Sequence, residues 1–339
     1  MSWRLISAVS VAFVVASCGG NPFNNAPVDP PPPTPPGGSV SELPGTPAPS
    51  AATAITRYEA EDGSGNGYAE NITYDAATNT FSVDNLGFDG DNAYSQSNLA
   101  ATDMGVRLGQ YRVYEAAPIV QDPLTGRPIQ QFEHRLLAGV SRSGNTGFAL
   151  VRTGAYVGYG FGGFVLKRDV GVTLPTVGQA AYYGNYAGIR DFEGRGGLEY
   201  TSGDMTMAID FEDFNDGNAV QGQIRNRRVY DLNGTDITQT ILDAWIADPD
   251  VAQTVMPTLV FTVGPGVIDA NGELQGGLSS AIVNSEGALE EYEAGNYYAI
   301  VAGDDAEEVV GIIVVESDDP RSEGVTARET GGFILYRDP

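Results

Sequence analysis

Short runs of β-branched and aromatic residues, separated by Gly, Asp and Asn, dominate the chain after about residue 54. This alternation is typical of antiparallel strands joined by turns, and it predicts an all-β protein. Asp216-Gly217 and Asn271-Gly272 have the composition of two-residue hairpin turns. Roughly 285 residues are too many for one small sandwich, so we expect two β units. The clearest predicted strands are Thr80–Val83, Gly147–Val151, Gly163–Leu166, Met205–Ile209, Thr258–Phe261, Tyr297–Val301 and Val309–Val314.

A short internal echo supports that division. The segment Gly162–Asp169 reads GGFVLKRD, and Gly331–Asp338 reads GGFILYRD. In each copy Phe and Leu are two residues apart, so they share one face of a strand. Each copy is therefore predicted to be the closing strand of a unit, with a boundary near residue 172.

One segment departs from the β pattern. Between Asp236 and Ile246, Ile237, Ile241, Leu242 and Trp245 recur at helical spacing, and Pro249 follows. The pattern predicts a single short amphipathic helix that begins with Asp236 as its cap. Trp245 either packs the helix over a barrel end as a lid or anchors a partner protein.

The N-terminus has the form of an export signal. Arg4 precedes an apolar stretch from Leu5 to Val15, which is too short to span a bilayer. The following residues, Ala16, Ser17 and Cys18, resemble the lipobox of bacterial lipoproteins, in which the cysteine is acylated. Cys18 is the only cysteine in the chain, so it has no disulfide partner. The alternative is an ordinary cleaved signal with an incidental cysteine.

Gly19 follows the cysteine where many lipoproteins retained at the inner membrane carry aspartate. The resemblance therefore implies an outer-membrane lipoprotein, displayed at the cell surface or facing the periplasm. Residues from Gly19 to about Ser50 are rich in Pro, Gly and Ser, and are predicted to form an extended tether.

The formal net charge is -26, from 44 acidic and 18 basic residues. Such a surface repels nucleic acid and anionic headgroups, so neither is an expected partner. Attachment to a membrane would then depend on the lipid. We interpret the acidic composition as a feature that keeps the protein soluble, in preference to a site for a specific cationic partner.

Three local patterns carry a resemblance to a known family. Gly178–Gly184 reads GQAAYYG; Asp210-Phe211 is followed by Val220–Ile224, which reads VQGQI; and Tyr298–Gly311 reads YAIVAGDDAEEVVG. In this order they resemble the β-barrel domain of the transferrin-binding protein B family of surface lipoproteins. The resemblance implies an antiparallel, roughly eight-stranded barrel preceded by a smaller handle-like β domain, with strands near 178, 195, 205, 219, 257, 274, 296, 309 and 331.

We therefore predict a signal peptide over 1–17, a lipidated cysteine and tether over 18–54, a handle-like β domain over 55–172 and a barrel domain over 173–339. The family's transferrin-contacting loops are variable, so no ligand-contacting residue is carried over, and transferrin is not the predicted ligand. We expect a monomer that binds an unidentified protein or small solute.

Candidate catalytic and metal sites are few. His134 is the only histidine and lies in an alternating pattern, which favours a structural or surface role and excludes a His-rich metal site. The Asp-rich segment Asp84–Asn92 lacks the register of a calcium loop and is predicted to be a solvated turn. Adjacent acids such as Glu212-Asp213 and Glu290-Glu291 point to opposite faces of a strand and cannot bracket one bond. We expect no enzymatic activity, no cofactor and no metal.

Arg225, Arg227 and Arg228 are unusual in so acidic a chain. Period-two spacing places Arg225 and Arg227 on one face, where they either bind an anionic ligand or pair with acidic neighbours. Together with Trp245 they are the candidate ligand-binding residues. Three functions remain open: binding through barrel and handle loops, carriage of a small ligand inside the barrel, and a structural role in the envelope. A filled barrel interior would favour the first.

Overall fold

The structure is a computed structural model of the chain. It describes residues 43–60, 69, 71–84, 93–99, 102–121, 124–130, 132–154, 158–211, 220–263 and 267–338. Within these ranges neither helix has the length and apolar character needed to span a bilayer.

An eight-stranded antiparallel sheet, called here the N-terminal sheet, forms the first part of the fold. Its spatial order is β1-β10-β9-β8-β5-β4-β3-β2. A two-stranded hairpin, β6–β7, is separate from it. The strands are β1 Ile55–Tyr58, β2 Ile72–Asp75, β3 Thr80–Val83, β4 Tyr94–Gln96, β5 Arg112–Glu115, β6 Ile119–Gln121, β7 Pro128–Gln130, β8 His134–Val140, β9 Thr146–Thr153 and β10 Gly162–Arg168.

The second part is a closed eight-stranded antiparallel barrel in which each strand pairs with the next and β18 pairs back with β11. The all-β prediction is confirmed. The strands are β11 Gln179–Glu193, β12 Glu199–Asp210, β13 Val220–Tyr230, β14 Leu259–Phe261, β15 Glu273–Val283, β16 Leu289–Ala302, β17 Glu308–Asp318 and β18 Thr326–Arg337. The predicted strand near 195 is instead the turn between β11 and β12, which leaves eight strands where nine positions were expected.

Alternation explains how these strands close into a barrel. On β11, Ala180, Tyr182 and Tyr186 point inward and are at most 4% exposed. Large inward side chains lie opposite glycines, as a small barrel requires. A Cβ on Gly331 would clash with the Tyr186 hydroxyl. The interior is therefore filled by side chains, which include Met205, Met207, Ile224, Leu259, Phe261, Leu274, Leu278, Tyr297, Ile313, Phe333 and Leu335.

The N-terminal sheet packs on the outer wall of the barrel. One apolar cluster contains Phe148 and Leu166 of the sheet together with Ile312 and Ile334 of the barrel. The echo segments take part in both cores: Phe164 and Leu166 share the face toward the barrel, whereas Phe333 and Leu335 share its interior face. Since the two sheets share a core, the division into two domains at residue 172 stays a prediction.

Buried polar contacts also cross this interface. Arg57 of β1 donates from Nε and Nη2 to the Glu273 carboxylate of β15, each at 2.6 Å. The Tyr111 hydroxyl donates to the Asn185 carbonyl at 2.6 Å and accepts from the Ile334 amide at 2.8 Å. The bidentate Arg57–Glu273 pair fixes orientation as well as contributing energy. Together with the Tyr111 hydrogen bonds it connects the N-terminal sheet to the barrel.

Residues 43–54, which the sequence analysis assigns to the tether, lie against the N-terminal sheet. Leu43 is buried in the shared core, and Gly45 forms a bridge with Arg57. The Ser50 carbonyl accepts a hydrogen bond from Arg168. The chain therefore joins the fold before β1 begins.

The described residues contain two helices, α1 Asp103–Leu108 and α2 Thr238–Ala247. α2 is the predicted helix, but its N-cap is Ile237 instead of Asp236. The Asp236 carboxylate still accepts a hydrogen bond from the Thr238 amide at 2.9 Å. The sequence pattern does not indicate α1, which has only six residues and is capped by the Thr102 hydroxyl.

Candidate functional site

Arg227 lies inside the barrel at the centre of an ion-pair network. Its Nη1 and Nη2 donate to the two Glu293 oxygens at 2.6 and 2.7 Å, and Nη2 also donates to Glu329 at 3.0 Å. The Tyr186 hydroxyl donates to Glu329, and the Ser280 hydroxyl donates to Glu293. Side chains from five strands, β11, β13, β15, β16 and β18, thus form one network around the Arg227 guanidinium.

Electrostatics explains why these charges stay ionised away from water. Burial alone would raise the pKa of Glu293, but Arg227 more than offsets this and the pKa is lowered. The same carboxylates raise the pKa of Arg227 well above its ordinary value, against the effect of burial. Arg227 is 3% exposed, so it is a structural cation with no access to an external ligand.

The predicted shared face of Arg225 and Arg227 is wrong. The β12–β13 register shifts between Ser202 and Asp204, and Asn226 adopts a left-handed conformation with φ of 54°. This bulge inserts one residue and turns the following side chains to the opposite face. Arg225 therefore lies exposed on the outer wall, whereas Arg227 points inward.

A second charged cluster closes the same end of the barrel. Glu199 accepts from Arg190, Arg195 and Arg321, and Asp319 accepts from Arg195 and Arg321. Burial would raise the pKa of Asp319, yet its contacts with Arg321 lower it. This cluster ties the β11–β12 turn to the β17–β18 turn.

An open groove runs across the outer wall of β11 to β14, and we call it the outer groove. β14 pairs with β13 only at Gln223–Val260 and Ile224–Leu259, so the two strands diverge beyond this point. The resulting space measures about 540 Å³. Its exposed apolar side chains are Tyr183, Val260 and Val263, with 50%, 50% and 45% exposure.

The polar lining of the outer groove is uncharged except for Arg225. It includes Thr206, Gln221 and Gln223. Arg225 forms no ion pair with the residues that the structure describes. A guanidinium beside amides and a tyrosine can bind a carboxylate or a backbone carbonyl of a partner.

Trp245 lies on the buried face of α2 and lines a second depression, which we call the α2 cleft. The cleft measures about 570 Å³ and lies between α2 and the strand ends at Tyr292 and Asp318. Trp245 is 2% exposed, and its ring packs edge-on against Tyr292 at 5.1 Å between centroids. Ile241 and Val229 bury the same helix face. α2 thus packs as a lid, while Trp245 keeps one edge at the cleft.

The other candidate positions divide between buried and undescribed residues. His134 is fully buried, and its Nδ1 lies 3.1 Å from the Phe132 carbonyl oxygen. Cys18, Asp216-Gly217, Glu212-Asp213 and most of the Asp84–Asn92 segment lie outside the described residues. Among the residues described, no three His, Cys, Asp or Glu side chains come together in a way that could hold a metal ion.

The partners of Arg227 and Trp245 lie far from them along the chain, and no local pattern indicates the pairings. Glu293 and Glu329 lie 66 and 102 residues from Arg227 along the chain. Tyr292 follows the acidic pair Glu290-Glu291 and interrupts an otherwise charged run. This interruption is the local signal of a side chain that packs, here against Trp245 of α2.

No family model and no curated protein matches the sequence. Among solved structures, the fold is similar to a double mutant of the vaccine antigen transferrin binding protein B from Haemophilus parasuis Hp5, with 13% identity, 78% of this chain and 43% of that chain covered, and a TM-score of 0.32. A single mutant of the same antigen is 11% identical, and the match covers 84% of this chain and 52% of that chain with a TM-score of 0.32. Intact Ap-TbpB, with its N and C lobes, is 13% identical, and the match covers 66% of this chain and 42% of that chain with a TM-score of 0.32.

The chain thus spans about half or less of the length of these proteins. Similarity at this level does not identify a ligand, and membership in the family stays a prediction.

Proposed function

We propose that the protein is a non-enzymatic, lipid-anchored protein of the outer membrane, displayed at the cell surface, which binds a partner protein on the outside of its barrel. One observation carries the proposal: the barrel interior is filled, whereas the outer groove is open. A carrier needs an internal cavity for its ligand. Here Tyr182, Tyr186, Tyr297 and the Arg227 network occupy the interior.

The outer groove has the chemistry of a protein-binding surface. Aromatic residues and arginine are enriched at such surfaces, surrounded by polar groups. Tyr183 and Val260 supply exposed apolar area beside Arg225. The short β13–β14 pairing also leaves part of the β13 backbone without a ladder partner among the described residues, so an extended segment of a partner can add there as a strand.

Anchoring is tested first. Cys18→Ser should move the protein from the membrane fraction to the soluble fraction, since acylation of Cys18 is the proposed attachment. Protease added to intact cells should digest the lipidated protein if it is displayed outward. Continued membrane association of Cys18→Ser would refute the anchor, and full protection from protease would refute surface display.

Binding is tested by affinity capture from culture fluid and envelope extracts, using the chain from residue 18 with Cys18→Ser. Tyr183→Ala combined with Arg225→Glu should recover at least about tenfold less partner, because Tyr and Arg dominate binding energy when they sit centrally in an interface. The matched control is Arg127→Glu with Ile129→Ala, which alters an exposed cation and an exposed apolar residue on the β6–β7 hairpin. Equal recovery by both variants would reject the outer groove, and recovery of no partner would leave the structural-envelope role in its place.

A further inference from the structure

The lining of the outer groove suits a ligand that offers hydrogen-bond acceptors. Its polar side chains can all donate, and no carboxylate is among the described residues that line it; these donors are Thr206, Gln221, Gln223 and Arg225. None of the four side chains makes a hydrogen bond with the residues that the structure describes. A ligand in the groove can therefore accept from several donors without facing a negative charge.

The chain itself contains a segment of complementary chemistry, which lies before the described residues. Residues 29–36 read DPPPPTPP. Six of the eight residues are proline, which has no backbone N–H, so the segment presents mainly carbonyl acceptors. Proline also favours the extended polyproline conformation, which grooves lined by aromatic residues bind at a small cost in conformational entropy. Tyr183, half exposed, supplies an aromatic ring in the outer groove.

The charges of the segment and the groove are also complementary. Asp29 is the only charged residue between Gly19 and Ser41, and it directly precedes the prolines. Arg225 is the only charged residue among those that line the groove. Opposite charges across an interface fix the register and direction in which a segment binds. An Asp29–Arg225 pair would select one direction for the prolines along the groove.

The chain enters the described fold close to the groove. The Leu43 carbonyl accepts a hydrogen bond from Arg57, which also binds Glu273 at the start of β15. β15 pairs with β14, and β14 forms one wall of the groove. Six residues separate Pro36 from Leu43, and an extended chain of this length spans about 20 Å. The segment can therefore reach the groove of its own molecule.

We propose that residues 29–36 bind in the outer groove of the same molecule, with Asp29 paired to Arg225 and the prolines against Tyr183. The inference rests on the proposed function, because a partner protein then has to displace this segment from the groove. While the segment is bound, only the ten residues 19–28 separate it from Cys18, which limits the reach from the lipid to about 35 Å. Displacement by the partner frees the whole tether.

Binding of a peptide added in solution tests this contact without an unknown partner. The probe is a fluorescein-labelled peptide of residues 28–36, VDPPPPTPP, whose anisotropy is followed as protein is added. The protein is the chain from residue 18 with Cys18→Ser, in which glycine replaces the six prolines of residues 30–36. We expect saturable binding to this glycine variant. The same chain with its own prolines should bind the peptide at least about tenfold more weakly, because a tethered segment competes at a millimolar effective concentration.

Charge exchange locates the contact on the groove. Asp29→Arg in the peptide and Arg225→Asp in the glycine variant should each weaken binding by about fivefold, since an exposed ion pair contributes modestly. The two substitutions together should restore binding, because the pair is formed again with its charges reversed. Arg127→Asp, which reverses an exposed charge on the β6–β7 hairpin, is the matched control and should leave binding unchanged.

Three results would each overturn the proposal: no saturable binding to the glycine variant, equal binding with and without the chain's own prolines, or a charge exchange that does not restore binding. Arg225 and Arg127 are both exposed, so unchanged circular dichroism is expected for their variants. Failure of this proposal is distinguishable from failure of the proposed function, because capture of a partner does not require the segment. If the segment does occupy the groove, the glycine variant should also capture more partner than the chain with its own prolines.

Discussion

Arg225 and Arg227 are two residues apart and lie in opposite environments. Arg227 is buried in the barrel and bound by two carboxylates, whereas Arg225 is exposed on the outer wall without an ion pair among the described residues. The difference comes from one residue, Asn226, whose left-handed backbone inserts a bulge. The bulge thus places Arg227 in the internal packing of the barrel and Arg225 on its outer wall.

The largest expected effect comes from removing the buried cation. Arg227→Ala leaves Glu293 and Glu329 buried without their partner, which should lower the free energy of unfolding by about 3 to 5 kcal/mol. Arg225→Ala is the matched control and should change it by less than about 0.5 kcal/mol. Urea denaturation of both variants checks the comparison. Similar losses of stability in the two variants would mean that the bulge does not place the two arginines in different environments.

The same network predicts an acid limit to stability. Because the folded pKa of Glu293 is lowered, its contribution to stability is complete above the ordinary value of 4.5 and is lost as the pH falls through the folded pKa. The lowered pKa of Asp319 acts in the same direction, below its ordinary value of 3.8. The midpoint of thermal unfolding should therefore fall as the pH drops below 4.5. Asp191 has the opposite effect on the pH dependence. Burial raises its pKa, so protonation of Asp191 stabilises the folded state relative to the unfolded state at low pH.

A Glu293→Gln variant separates the contribution of this carboxylate to the pH dependence from the contributions of the other titratable groups. It should start less stable at neutral pH and show a shallower decline on acidification. If its pH dependence matches that of the unmodified chain, Glu293 is not responsible for the acid limit.

The bulge itself is tested by Asn226→Val. A β-branched residue resists the left-handed conformation, at a cost of about 1 to 2 kcal/mol, and the variant also loses the hydrogen bond from Asn226 Nδ2 to Asp204 at 2.6 Å. Asn226→Gly keeps the backbone conformation accessible and should lose less stability. Equal losses of unfolding free energy in the two variants would show that the effect comes from the lost Asn226–Asp204 hydrogen bond alone.

The smallest expected effect concerns the filled interior. The Tyr297 hydroxyl is buried, and no described residue accepts from it or donates to it. Its ring stacks on Phe261 at 4.1 Å. Tyr297→Phe keeps the ring and removes an unsatisfied hydroxyl, so it should raise the free energy of unfolding by about 1 kcal/mol. A loss of stability would show that the hydroxyl has a hydrogen-bond partner inside the barrel, such as an internal water.

Local patterns predicted the strands but not the contacts between distant ones. The runs at Thr80–Val83 and Val309–Val314 form strands because alternation and β-branched residues act locally. Helix α2 was predicted for the same reason, whereas α1 has too few turns to show a period. The paired faces of Phe164 with Leu166 and Phe333 with Leu335 also follow from strand spacing.

The candidate site was predictable only in part. Period two holds along a regular strand, and the Asn226 bulge breaks it between Arg225 and Arg227. The acidic partners of Arg227 come from β16 and β18, so only closure of the barrel brings them together. Trp245 was identified from its helical face, but the cleft beside it requires Tyr292 and Asp318 from strands far along the chain.

The clamp between Arg57 and Glu273 has a mechanical consequence for a tethered protein. Under the proposed anchor, any force from the membrane enters the described fold at residues 43–46, which hydrogen-bond to β1, a four-residue strand at the edge of its sheet. Pulled alone, so short a strand would peel away. Since Arg57 of that strand also binds Glu273 of the barrel, the load is shared by both sheets at its point of entry. Arg57 would then resist the detachment of β1, so that force on the tethered protein does not unfold the N-terminal sheet one strand at a time.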